Sequence, residues 1–101
     1  VGVAAKEFFD PFYADIAFLS CHGLDPEYGL TEAHEEESQI KRLLIQKART
    51  TVLLCDSTKV GQRFFSRTCG LDAIGTLVTD QEPGTALRQA LEEHGVATVV
   101  G

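Results

Sequence analysis

Basic residues are scarce in this chain: nine lysines and arginines stand against fifteen acids, a net charge of −6 at neutral pH. The nine are scattered rather than clustered, so no positive surface is available to neutralise phosphates, and no direct nucleic-acid contact is expected. Cysteine is equally sparse. Cys21, Cys55 and Cys69 are odd in number and show no paired spacing. Two of them sit in or beside apolar runs, where a free thiol behaves as a small hydrophobe, so neither disulfide nor metal is expected and the compartment is reducing, hence cytoplasmic. Long apolar runs are lacking too. Ile16-Ala17-Phe18-Leu19 and Val52-Leu53-Leu54-Cys55 are the longest, far short of a bilayer span, so no membrane association is expected. Lys6, Glu7 and Asp10 interrupt the apolar start, which does not read as a signal peptide.

Catalytic signatures are also missing. There is no Ser/His/Asp order, P-loop or GxGxxG. His22, His34 and His94 have no HxxxH or CxxC partner spacing, and the adjacent Cys21 and His22 would point to opposite faces of a strand. No metal and no other cofactor is expected. Internal repeats, linkers and low-complexity segments are absent.

What is present is an ordinary globular composition, 44% hydrophobic and 24% charged over 101 residues, enough for one domain with a core and too short for two. Strand-like and helix-like stretches alternate. Asp15 to Ser20 is a short apolar run that stops at Cys21-His22-Gly23, and Gly23 to Thr31 reads as a turn-rich polar passage. Glu35 to Arg49 places Ile40, Leu43, Leu44 and Ala48 on one helical face, with acids early and bases late as the helix dipole favours. Glu37 and Lys41 stand at the spacing of an i,i+4 pair. Further strands are predicted over Thr51 to Cys55, Gly75 to Thr79 and Ala97 to Val100. A second helix over Pro83 to His94 is closed by Gly95, and Glu7 to Tyr13 reads as the end of another, cut by Pro11. Strand, helix, strand, linker, strand, helix, strand predicts βαβ crossovers and an open parallel α/β sheet in three layers, with helices on its faces.

Ligands of such sheets bind outside the carboxyl ends of the strands. The candidates are therefore Ser20, Cys21, His22, Gly23 and Asp25 after the first strand, Asp56, Ser57, Thr58 and Lys59 after the second, and Asp80 after the third. The Lys59 ammonium offers a point charge for phosphate, beside hydroxyl and backbone N–H donors of the preceding turn. The plainer alternative makes Asp56 a turn or helix cap and Lys59 a solvated base. The run Glu35-Glu36-Glu37 suits a solvated helix start better than a catalytic pair.

Taken in order, Asp15 to Ser20, Gly23-Leu24-Asp25, Gly29-Leu30-Thr31, Glu36-Glu37 with Lys41-Arg42, Asp56 to Gly61 and Thr76 to Asp80 resemble the C-terminal sensor domain of DeoR-family bacterial repressors. The likeness covers nearly the whole chain. It implies a Rossmann-like fold shared with ribose-5-phosphate isomerase and glucosamine-6-phosphate deaminase. It also implies a phosphorylated sugar or related metabolite as effector, releasing DNA held by an N-terminal winged helix-turn-helix. By position, the family's Asp-Ser-X-Lys motif falls on Asp56, Ser57 and Lys59, and its Gly-X-Asp turn on Gly23 and Asp25. Its Gly-Leu-Thr falls on Gly29, Leu30 and Thr31, and its helix-leading acids on Glu36 and Glu37. The winged helix and the family's glycine/threonine-rich phosphate loop have no counterpart in residues 1–101. The chain is thus expected to be a single, partial effector-sensing domain, truncated on its N-terminal side, that self-associates as a homo-oligomer. The alternative is a fragment of a sugar-phosphate isomerase-like enzyme. Against it, the second acid of the isomerase turn is not reproduced in Gly23-Leu24-Asp25-Pro26-Glu27, and proton shuttling needs a positioned base.

Overall fold

A computed structural model describes residues 12–101. In chain order the elements are β1 (Ala14–Leu19), β2 (Gly23–Asp25), β3 (Gly29–Glu32), α1 (Glu35–Lys47) and β4 (Ala48–Leu54). They continue through a 3₁₀ turn (Ser57–Lys59), β5 (Ser66–Cys69), a second 3₁₀ turn (Leu71–Ala73), β6 (Thr76–Thr79), α2 (Thr85–Glu93) and β7 (Ala97–Val100). The helical stretch expected over residues 7–13 lies almost wholly outside the described residues.

Four strands form one all-parallel sheet in the order β1-β4-β6-β7, the open α/β architecture that the alternation of elements predicts. Register explains which residues are buried. Leu19 pairs with Leu53 and Leu53 with Leu77, so these three form one inward row, and Phe18, Val52 and Thr76 form the adjacent row on the opposite face. Leu53 and Leu77 are buried in the same cluster as Leu87, Ala90 and Leu91 of α2, with Leu44 and Ile45 of α1 packed against it. Both helices therefore cover one face. On the other face Ile16, Phe18, Leu54 and Val99 remain exposed, Phe18 at 64%, and no described element lies over them.

Three further strands were not legible as strands. β2, β3 and β5 make a small antiparallel sheet, in that order, where the sequence reads turn and linker. Leu24 pairs with Leu30 across the β2–β3 hairpin, and both are fully buried, each contributing about 2 kcal/mol by leaving water. β5 carries the sequence Ser66-Arg67-Thr68-Cys69 and has no apolar run to betray it. It is held by hydroxyls instead: Ser66 and Thr68 donate to Ser38 Oγ of α1 at 2.9 and 3.0 Å. Arg42 Nε closes the same seam by donating to the Thr68 carbonyl at 3.0 Å.

α1 stops at Lys47 rather than Arg49, and Ala48 passes directly into β4 in extended conformation. Pairing of Ala48 with Ala14 of β1 takes the backbone out of the helix, since ladder bonds outweigh the few tenths of a kcal/mol that propensity supplies per residue. α2 ends as the glycine implies: Gly95 has φ +71°, and the Val96 N–H returns to the Leu91 carbonyl at 2.8 Å.

Candidate functional site at the carboxyl edge of the sheet

All four parallel strands end on one edge, so the segments leaving β1, β4 and β6 share a rim. The segment after β4 is the most constrained. Asp56 caps the 3₁₀ turn, its Oδ1 accepting from the Thr58 N–H at 2.9 Å and also from the Thr58 hydroxyl. Asp80, arriving from β6, accepts from the Ser57 N–H at 2.7 Å and the Ser57 hydroxyl at 3.3 Å. Both carboxyls are held below the usual carboxylate range, Asp56 first by the Thr58 hydroxyl and Asp80 first by the Ser57 N–H. The donors that the sequence offers to a ligand in Ser57 and Thr58 are thus already engaged by these two aspartates. Lys59 differs. It is half-buried, and among the described residues its ammonium has no hydrogen-bond or ion-pair partner.

The second group of sequence-predicted residues supports this rim from beneath. The Gly61 N–H donates to the Leu24 carbonyl at 2.8 Å, and Leu24 bridges Val60, stitching the Lys59 loop onto β2. Gly23 permits that approach, because a Cβ there would lie 2.3 Å from the Gln62 carbonyl oxygen. Thr31 is fully buried, and its Oγ1 accepts from the Phe64 N–H at 3.0 Å. Asp25 Oδ2 accepts from the N–H groups of Glu27 and Tyr28 at 2.9 and 2.8 Å, and Arg63 Nε meets Asp25 Oδ1 at 3.0 Å. The Arg63 hydrogen bond holds Asp25 below the usual carboxylate range. Gly23, Asp25 and Thr31 therefore position the loop. Glu36 is not brought to them; it stands exposed in the first turn of α1.

Sequence reasoning missed Glu32, which falls between the turn-rich passage ending at Thr31 and the helix predicted from Glu35. Its side chain is 0% exposed, with Lys41 Nζ at 2.8 Å and His22 Nδ1 at 2.9 Å from Oε1, while Oε2 has no partner among the described residues. Lys41 also donates to the Ser20 carbonyl at 2.6 Å, so the lysine expected to pair with Glu37 instead ties α1 to the end of β1. Ligand atoms of His22, Glu32 and Glu37 lie within 4.8 Å of one another, but the Lys41 ammonium already serves as the counter-charge there. A cation would have to compete with it.

Hollows of different character adjoin these elements. One, of about 270 Å³, lies on the rim between Ser57, Val60, Thr79, Gln81, Glu82 and Leu87. A larger one, of about 390 Å³, runs along β1, the edge strand among the described residues, past Tyr13, Ile16 and Phe18. Its apolar lining suits a protein surface better than a polar metabolite.

A family model described as "DeoR C terminal sensor domain" matches residues 1–81. The chain belongs to the DeoR C-terminal sensor domain family. The HTH-type transcriptional regulator GlpR of Haloferax volcanii is 36% identical over 101 residues, covering 100% of this chain and 40% of that protein. The HTH-type transcriptional repressor GlcR of Bacillus subtilis is 33% identical over 99 residues, 98% of this chain and 38% of that protein. The glycerol-3-phosphate regulon repressor of Escherichia coli is 26% identical over 96 residues, 95% of this chain and 38% of that protein. This DeoR sensor domain thus spans about two fifths of the length of these relatives. All three are named as transcriptional regulators rather than enzymes, in keeping with a sensor and not a catalyst.

Proposed function

We propose that this DeoR sensor domain binds a phosphorylated sugar or related small metabolite at the carboxyl edge of its parallel sheet. Binding there would control the DNA affinity of a winged helix-turn-helix in a longer cytoplasmic regulator; this chain itself touches no DNA. The observation that carries the reading is Lys59. Arg42, Arg63 and Lys41 are engaged with Glu35, Asp25 and Glu32, whereas the Lys59 ammonium, attracted to Asp56, makes no hydrogen bond or ion pair among the described residues. The remaining lone pairs of Asp56 and Asp80 beside it suit sugar hydroxyls, which donate to carboxylates, while Lys59 answers the anionic group. The isomerase alternative has no such support, because Asp25, the carboxylate it would use as base, is buried and tied to Arg63. Copies of the domain pair through the sheet face that no described element covers, whose exposed Ile16, Phe18, Leu54 and Val99 form the kind of patch that association covers.

Calorimetric titration with glycerol 3-phosphate and a panel of sugar phosphates tests the site. Lys59→Ala should weaken binding roughly ten- to a hundredfold, the effect of losing a charge-assisted hydrogen bond, and leave Tm unchanged. Lys47→Ala, at the opposite edge of the sheet, should bind as the parent does. Equal affinities for the two variants would remove Lys59 from the site.

A further inference from the structure

The register that aligns Leu19 with Leu53, carried two residues on, sets Cys21 opposite Cys55 on the same inward face. The sulfurs are 3.7 Å apart, with the Cys21 thiol donating to Cys55 Sγ. Neighbouring strands lie about 4.8 Å apart, inside the Cα separation of roughly 4.4–6.8 Å that a disulfide spans. We propose that Cys21 and Cys55 are a reversible dithiol–disulfide site, oxidised by hydroperoxides, a modification independent of the effector reading. The asymmetry of the pair supports the chemistry. The Cys21 hydrogen bond lowers the Cys55 thiol below its ordinary value, while Cys21 is pushed well up by the same bond and by burial. Both thiols are buried, each 5% exposed, so peroxide reaches the pair as the ends of β1 and β4 open locally, with Cys55 as the nucleophile and Cys21 as the resolving thiol. Cys69, half-buried and pushed up to about 11 by burial, has neither role.

Each step balances. The Cys55 thiolate, its proton released to solvent, attacks one peroxide oxygen; the O–O bond breaks, leaving a sulfenic acid on Cys55 and a hydroxide. That hydroxide takes the Cys21 proton and becomes water. The Cys21 thiolate then attacks the Cys55 sulfur and displaces a second hydroxide, which regains the proton released at the start. Two thiols lose two electrons in all, and hydrogen peroxide becomes two waters. The bond would fasten the ends of β1 and β4, one residue before the Asp56 cap, and so stiffen the Ser57–Lys59 turn.

The folded chain is treated with hydrogen peroxide beside reduced glutathione as an internal reference, quenched with iodoacetamide and mapped by mass spectrometry. Wild type and Cys69→Ser should both yield a Cys21–Cys55 linked peptide pair, lost on reduction. Cys21→Ala should give only Cys55 sulfenic or higher acids. Amide hydrogen exchange in residues 57–60 should slow several-fold in the oxidised form. Unreacted thiols once the glutathione is consumed, or a linkage through Cys69, would overturn the site. A cross-link without slower exchange would overturn its grip on the turn.

Discussion

Gly29 and Gly61 both hold positive φ, +88° and +84°, yet their surroundings differ. A Cβ at Gly29 would sit 2.2 Å from the Cys69 carbonyl oxygen, whereas one at Gly61 meets nothing within 4 Å. Gly61→Ala therefore meets only left-handed strain, about 1 kcal/mol. Gly29→Ala adds a backbone collision at the β3–β5 junction and should cost about 3 kcal/mol. Urea unfolding of the two variants checks the ranking, and equal losses would show that β3 and β5 do not approach this closely. Leu24 is fully buried beneath the Lys59 loop. Leu24→Ala should lose between about 2 and 5 kcal/mol and loosen that loop as well.

Among the elements, the seam between α1 and β5 is polar where most helix–sheet contacts are apolar. Ser38 is its only fully buried member on α1, and it receives the hydroxyls of Ser66 and Thr68. Ser38→Ala strands the buried Thr68 donor and should destabilise the fold by about 2 kcal/mol in urea unfolding; an unchanged midpoint would show that water replaces the bond. The β2–β3 hairpin carries a pH dependence of its own. Asp25 is held below its unfolded value of about 3.9 by Arg63 and two backbone N–H groups. Its contribution is complete above that value and disappears as pH falls through the lower folded value, because protonation ends the pairing with Arg63. In Asp25→Asn the Tm loss between neutral pH and pH of about 3 should be smaller than in the parent. Parallel curves would mean that other carboxylates govern acid unfolding.

Among the described residues, one sheet face is covered by helices and the other by no element. Ile16, Phe18, Leu54 and Val99 are exposed together, and among the described residues β1 is an edge strand beside the apolar hollow at Tyr13 and Ile16. Self-association through this surface is the expected outcome. Phe18→Lys should shift the chain toward monomer in light scattering without lowering Tm, since Phe18 packs outside the core. A parent chain that stays monomeric at high concentration would contradict the pairing. Net charge works against association, as −6 on 101 residues repels like copies, so the dimer should tighten as salt screens that repulsion.

The parallel sheet was legible because its signals are local. Apolar runs at Ile16–Leu19 and Val52–Cys55, helical spacing at Leu87, Ala90 and Leu91, and the terminating Gly95 each declare themselves within a few residues. From them the order of elements, the common carboxyl edge and the positions of Asp56, Ser57 and Lys59 on it all follow. What sequence could not declare depends on partners distant along the chain. β5 is a strand because it pairs with the distant β3, Thr31 opposite Arg67 and Glu32 opposite Ser66. Glu32, outside every predicted element, is fully buried against Lys41 and His22. Likewise Asp80, not a ligand, takes the Ser57 N–H. Cys21 and Cys55, unpaired by spacing, meet only because β1 and β4 lie side by side. Hydrophobic periodicity records which face a residue turns inward; which groups it meets there is decided when the strands take their register, and that register exists only in the folded chain.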